Sequence, residues 1–257
     1  MFFQIIESSS AGNCSYLNCD GVKILIDAGV GIKKVRSFLA QNGASVNELD
    51  GIFITHEHSD HFSALRHFVQ SGVKVYANRP TAECIMAKDA DTKKINWRIF
   101  ETGGEFDFYG IQVLSFAIPH DTSDPVGFKF SNGEKNLVYA TDIGKITHSI
   151  RDIASHSDIL VLESNYCPLM LERSSRPYSL KMRIKSPNGH LSNADAIELL
   201  RVLPPSVKKI FLSHVSRQCN SVEHIREMLE RSAIARDLLD KIEIVCPYSK
   251  PSSPVEF

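Results

Sequence analysis

At 257 residues, 43% of them hydrophobic and 23% charged, the chain has enough apolar material for a full core, which excludes a disordered protein. Its 29 basic and 30 acidic residues leave a net charge of −1, so any case for nucleic-acid binding must be local. Six scattered cysteines without a CxxC pair exclude a disulfide framework and point to a reducing, cytoplasmic setting.

The N-terminal MFFQIIESSSAGN lacks a basic start and a long apolar stretch, so no signal peptide is expected. No run reaches the ~18 apolar residues of a membrane span. From there the chain reads as short apolar runs closed by polar or turn residues. VKILIDAG (22–29) is a strand, and KKVRSFLAQNG (33–43) a helix with Val35, Phe38 and Leu39 on one stripe and Gly43 as its stop. DGIFITH (50–56) is a strand, followed by a helix through Ala64–Val69 and a strand at VKVYAN (73–78). Four further strands are expected at 111–120, 126–132, 136–144 and 158–165. Residues 167–189 read as one long irregular segment, of the kind that is usually functional in a compact domain. SNADAIELLRVL (192–203) is a helix opened by Ser192 and Asp195 at capping-box spacing. A strand at KKIFLSH (208–214) and a helix at SVEHIREMLERS (221–232) close the pattern. One domain over 1–250 is expected, with 251–257 as a loose tail. Strands and helices mix without a strict βαβ alternation, which favours two sheets with helices outside over a doubly wound parallel sheet.

What closes the strands is unusual. Asp27, His56, His120, Asp142, Glu163 and His214 each end an apolar run. Strand ends on one edge of a sheet converge, so such side chains can meet. THEHSDH (55–61) adds His58, Asp60 and His61 to His56 within one turn. Imidazole and carboxylate donors at this spacing suit zinc, manganese or iron. Glu57 is expected to point away from the ligands. His67, His148, His156 and His224 fall on helices or loops and are read as ordinary side chains.

THEHSDH resembles the HxHxDH signature of the metallo-β-lactamase superfamily, and the order Asp27, HxHxDH, His120, Asp142, His214 follows that superfamily's successive motifs. The resemblance implies a four-layer αβ/βα sandwich, with two central mixed β-sheets and helices on the outer faces. It also implies two divalent metal ions, zinc or manganese. His56, His58 and His120 would hold one ion. Asp60, His61 and His214 would hold the other, with Asp60 also serving catalysis. Asp142 would bridge the two ions, and Asp27 would orient a ligand histidine. SSSAGNCSYL (8–17), LESN (162–165), YSLKMRIKSPNGHLSN (178–193) and LSHVSRQCNS (212–221) look like the YycJ/WalJ-like branch, a bacterial group with DNA exonuclease activity. One departure is that Tyr166-Cys167 stand where that branch carries His-Asp.

GHLSN resembles the phosphate-contacting histidine motifs of RNase J and tRNase Z. By that match His190 would be the phosphate contact or general acid, and Glu163 its proton-relay partner. Two ions ~3.5–4 Å apart would clamp a phosphodiester and hold a shared hydroxide for in-line attack. The implied activity is a DNA exonuclease. A small cyclic phosphodiesterase, RNA processing, and lactam or thioester hydrolysis are the alternatives. Arg176, Lys181 and Arg183, with Tyr178 among them, form a basic segment suited to a phosphate backbone and a stacked base. Asn13 and Asn220 are further candidate substrate contacts. DNA is the expected partner, with no membrane.

Overall fold

The computed structural model describes residues 1–246 and 250–256, and by contact density the chain divides into two compact units. The first is built from Met1–Gly104, Thr122–Val126 and the C-terminal segment 250–256. In chain order it holds β1 (Phe2–Ser9), β2 (Gly12–Cys19), β3 (Val22–Ile26), α1 (Ile32–Gln41), β4 (Gly51–Phe53), α2 (Ser59–Phe62), β5 (Lys74–Asn78), α3 (Arg79–Lys88) and β6 (Asn96–Phe100). β1, β2 and β3 are antiparallel neighbours, while β3 to β6 pair in parallel and so end on one edge. Val35, Phe38 and Leu39 of α1 enter a core with Leu25, Ile52, Phe68 and Val75. Gly43 stops α1 with φ +66°, a conformation that costs glycine no Cβ clash.

Where a helix is expected through Ala64–Val69, a 3-10 helix spans Leu65–Ser71. Leu65 and Phe68, both buried, stand three residues apart, which the three-residue period of that helix aligns. The expected loose tail is also corrected over its described part. Val255–Glu256 pair with β1, Ser252 N–H donates to the Ile5 carbonyl at 2.9 Å, and Ile5 N–H donates to the Ser252 hydroxyl at 2.9 Å. The expectation of a loose tail at 257 lies outside the described residues.

The second unit takes Glu105–Asp121 and 127–246. It holds β7 (Glu105–Phe108), β8 (Ile111–Ala117), β9 (Val126–Ser131), β10 (Asn136–Ala140), α4 (His148–Ser155), β11 (Ile159–Glu163), α5 (Pro168–Arg173), α6 (Tyr178–Lys185), α7 (Asn193–Leu200), β12 (Lys209–Ser213), α8 (Val222–Glu230), α9 (Arg236–Leu239) and β13 (Ile242–Ile244). The sheet runs from β13 to β7 in reverse chain order. β10, β11, β12 and β13 are parallel, which sets the residues after β10, β11 and β12 on one edge. Leu160, Leu162, Ile210 and Leu212 pack with Ile197 and Leu200 of α7 and Ile225 and Leu229 of α8. Ser192 caps α7 by accepting the Asp195 N–H, and Ser221 caps α8 by accepting the His224 N–H.

The segment read as irregular at 167–189 is instead two short helices, α5 and α6. Their inward residues Leu171 and Ile184 pack with Tyr166 and Cys219, a contact local periodicity does not reveal. Among the described residues no helix is long and apolar enough to cross a membrane.

Candidate metal centre and catalytic side chains

Two clusters of imidazoles and carboxylates stand at the strand ends, one in each unit. In the first unit Asp27 follows β3 directly, at φ +61°. Aspartate tolerates this left-handed conformation better than most residues. There its side chain leaves the strand direction and turns toward the segment after β4. Its Oδ1 accepts the Thr55 N–H at 2.9 Å, and its Oδ2 lies 2.8 Å from His61 Nδ1. The Thr55 hydroxyl stands 3.0 Å from both carboxylate oxygens and 3.0 Å from His56 Nδ1. Burial pushes the Asp27 carboxyl upward, while His61 and the Thr55 donors oppose it.

The backbone fastens the same turn. Ala28 N–H donates to the His61 carbonyl at 2.7 Å, and Ala64 N–H donates to the Ala28 carbonyl at 2.9 Å. Gly29 lies so close to Asp60 that a Cβ would sit 1.6 Å from its carbonyl oxygen. Asn13 is buried beneath, its amide 3.1 Å from Asp60 Oδ2, 3.1 Å from His61 Nε2 and 3.0 Å from the Ser9 carbonyl. Asn13 thus holds ligand-type side chains from inside the fold instead of lining an open surface. Glu57 is buried and turned away, its Oε1 accepting the Ser123 N–H at 2.8 Å.

In the second unit His120 follows β8, Asp142 follows β10, Glu163 ends β11 and His214 follows β12. Asp142 (φ +58°) and His214 (φ +55°) repeat the left-handed turn of Asp27. Glu163 is the centre of this cluster. Its Oε1 is 2.8 Å from both His190 Nδ1 and His214 Nδ1, and its Oε2 accepts the Ile143 N–H at 2.7 Å and the Leu191 N–H at 3.1 Å. Burial works to raise the Glu163 carboxyl, yet His190 and His214 hold it below the usual range. Ligand atoms of Asp142, Glu163, His190 and His214 all lie within 4.8 Å of one another. His120 Nδ1 is 2.9 Å from the Gly189 carbonyl.

The donor chemistry fits divalent metal binding. His61, His120 and His214 each set Nδ1 against a carboxylate or carbonyl oxygen, which fixes the tautomer with Nε2 as the lone-pair donor. His56 Nε2 and His58 Nδ1 converge to 3.1 Å. Nitrogens ~2.0–2.1 Å from one tetrahedral zinc would stand roughly 3.3 Å apart.

The expected substrate contacts are placed differently from one another. Arg176 Nε donates to the Gln218 amide oxygen at 3.1 Å, and Lys181 donates to the Glu172 carbonyl at 2.5 Å, both half-buried on or just before α6. Arg183 pairs through both guanidinium arms with Asp121. Asn220 is corrected to a structural role: its buried amide donates to the Ser164, Asn165 and Asn193 oxygens at 2.8–3.0 Å. Tyr166 fills an apolar cluster with Leu171, Ile184 and Cys219, and Cys167 is buried with its N–H on the Cys219 carbonyl at 2.9 Å. Three residues that sequence reasoning leaves without a role also support the clusters. Thr55 joins Asp27 to His56, Asn165 donates to the His214 carbonyl at 2.7 Å, and Gly189 anchors His120. Thr55 and Asn165 stand inside the quoted THEHSDH and LESN stretches, which is the one signal that marks them.

Comparison with known proteins adds four findings. A family model described as a β-lactamase superfamily domain matches residues 22–215. The chain is 34% identical over 241 residues to the exodeoxyribonuclease WalJ of Streptococcus pneumoniae, covering 91% of this chain and 88% of that protein. It is 31% identical over 243 residues to the exodeoxyribonuclease YycJ of Bacillus anthracis, covering 94% and 90%. Its fold matches the metallo-β-lactamase fold protein YhfI of Bacillus subtilis with a TM-score of 0.73 at 13% identity, over 99% and 98% of the two chains.

Proposed function

Since the chain belongs to the metallo-β-lactamase superfamily and is similar to WalJ and YycJ over nine-tenths of its length, we propose that it is a metal-dependent exonuclease acting on DNA. The carrying observation is that two exodeoxyribonucleases align over 91% and 94% of this chain, a span too long to omit either cluster. We assign it to a single hydrolase domain over residues 1–250, working in the cytoplasm.

In this reading two divalent ions, zinc or manganese, are the resident cofactor. His56, His58 and His120 would hold one. Asp60, His61 and His214 would hold the other, and Asp142 would serve both. The bound ions would acidify water and offset charge on the phosphoryl oxygens.

The chain's own residues do the rest. Asp27 and Glu163 keep imidazole protons on Nδ1 of His61 and His214, which leaves Nε2 as the lone-pair nitrogen that would meet an ion. His190 is the general acid: Glu163 holds its Nδ1 at 2.8 Å, and its side chain is only partly exposed, so its other ring nitrogen is left to meet substrate. The departing 3′ or 5′ oxygen takes its proton there. Arg176, Lys181 and Arg183 line the approach and attract the phosphate backbone.

The test is incubation of metal-loaded protein with end-labelled duplex DNA, single-stranded DNA, RNA and a bis-aryl phosphate. Progressive shortening of DNA, abolished by chelation and by Asp142→Ala, is expected. Cleavage of the aryl ester alone would replace this reading with a small-phosphodiester hydrolase.

A further inference from the structure

Helix α6 carries two apolar faces where its fold needs one. Ile184 is buried and Leu180 packs against the Tyr166, Leu171 and Cys219 cluster, which anchors the helix. Tyr178 and Met182 stand two residues before these, about 200° around the helix, and so face the opposite way. Tyr178 is 75% exposed and Met182 48% exposed. Four residues apart, they share one surface patch. Among the described residues, neither side chain belongs to the apolar clusters of α7 and α8 or of Tyr166 and Leu171.

The surroundings of that patch state what it suits. From Pro168 to Lys185 the chain holds Arg173, Arg176, Lys181, Arg183 and Lys185 against the single acid Glu172, in a protein of net charge −1. Arg176 and Lys181 donate to neutral oxygens, while Arg183 and Lys185 pair with the carboxylates of Asp121 and Glu172. An exposed aromatic ring on a segment rich in basic residues complements a strand of nucleic acid, whose bases have π faces and whose backbone is anionic.

The helix is also fastened to the catalytic side chains of its own unit. His190 N–H donates to the Ile184 carbonyl at 3.0 Å. Gly189 approaches the Arg183 and Ile184 carbonyls so closely that a Cβ would lie 2.3 Å from each, and its own carbonyl holds His120. A strand with its reacting phosphate at His190 therefore passes α6.

We propose that Tyr178, braced by Met182, is the platform on which an unpaired base of the DNA substrate stacks. The inference rests on the exonuclease reading above. It assigns to α6 the selection of a frayed or single-stranded end, without preference for sequence, because every base offers a face to stack.

The test uses the full-length, metal-loaded protein. Tyr178→Ala is expected to raise KM for single-stranded DNA ~10-fold with little change in kcat, and Tyr178→Phe to restore it. The loss on DNA should exceed that on a bis-aryl phosphate. A strand bearing 2-aminopurine should be quenched on binding wild type and much less on Tyr178→Ala, with Met182→Ala intermediate. Wild-type KM and quenching in Tyr178→Ala would overturn the proposal, as would an equal loss on both substrates. Wild-type protein that shortened no DNA yet cleaved the aryl ester would instead remove the nuclease reading, and this inference with it.

Discussion

Asp27 Oδ2 and His61 Nδ1 stand 2.8 Å apart, and neither side chain is exposed at all. A buried carboxylate is costly unless a partner uses it, and here the partner is an imidazole whose far nitrogen is a ligand in the proposed centre. Asp27→Asn keeps the shape and loses the charge. Its amide also has a donor face that can turn toward His61 and favour the wrong tautomer. Metal affinity should fall ~10- to 100-fold. Competition with a chromophoric chelator measures this without recourse to turnover. Unchanged affinity would show that Asp27 serves the fold alone.

Gly29 offers a sharper test of how the THEHSDH turn is held. A Cβ there would lie 1.6 Å from the Asp60 carbonyl oxygen, which is backbone and has no rotamer to swing aside. Gly29→Ala must push α2 off β3, against the Ala28–His61 and Ala64–Ala28 hydrogen bonds. A loss of at least ~2 kcal/mol is expected in urea unfolding. Gly31→Ala is the control, since no atom lies within 4 Å of its Cβ, and should stay within ~0.5 kcal/mol.

These contacts also explain what the sequence makes visible. Asp27, His56, Asp142 and His214 were legible because each ends a run of apolar residues, where a charged or imidazole group has no packing reason to be. That Asp27, Asp142 and His214 turn left-handed was not legible, because the conformation is imposed by contacts distant in sequence. β1 and β2 escaped for a related reason. GNCSYLNC is buried on both faces, so its small polar residues show no alternation. β6 is exposed along most of its length and carries no apolar run. α5 and α6 are too short for a helical period and take their support from Tyr166 and Cys219. Asn220 looked like a phosphate contact because a polar residue in a loop beside the site is ambiguous until its hydrogen bonds are seen.

Asn220 separates positioning from contact. Its Nδ2 donates to the Ser164 and Asn165 carbonyls at 3.0 Å, and Asn165 in turn donates to the His214 carbonyl. Asn220→Ala leaves buried carbonyls without donors, a loss of about 1–3 kcal/mol of stability. On DNA, kcat should fall while the dependence of KM on salt keeps its slope. A phosphate contact removed would instead lower that slope by ~1. A reduced slope would return Asn220 to the substrate-binding set.

The last prediction concerns alkaline pH. Cys14 is fully buried, and burial first, then Asp27 and Glu7, push its thiol far above its ordinary value of 9.0. Cys19, buried beside Asp20, is pushed up to about 11. Both thiols hold their protons longer in the folded chain than in the unfolded one. Above pH 9 the unfolded chain therefore binds fewer protons, and stability falls as pH rises. The contribution is whole below pH 9 and for Cys19 is lost by about pH 11. The limiting slope is about 1.4 kcal/mol per pH unit for each thiol. Urea unfolding at pH 8 and pH 10.5 should show the decline, and Cys14→Ala should flatten it whatever its own effect at pH 8. Iodoacetamide at pH 8 should label exposed Cys246 and spare Cys14 in the folded protein. An unaltered slope in Cys14→Ala, or rapid labelling of Cys14, would mean that the β2 thiol reaches solvent and that the sheet behind Asn13 opens.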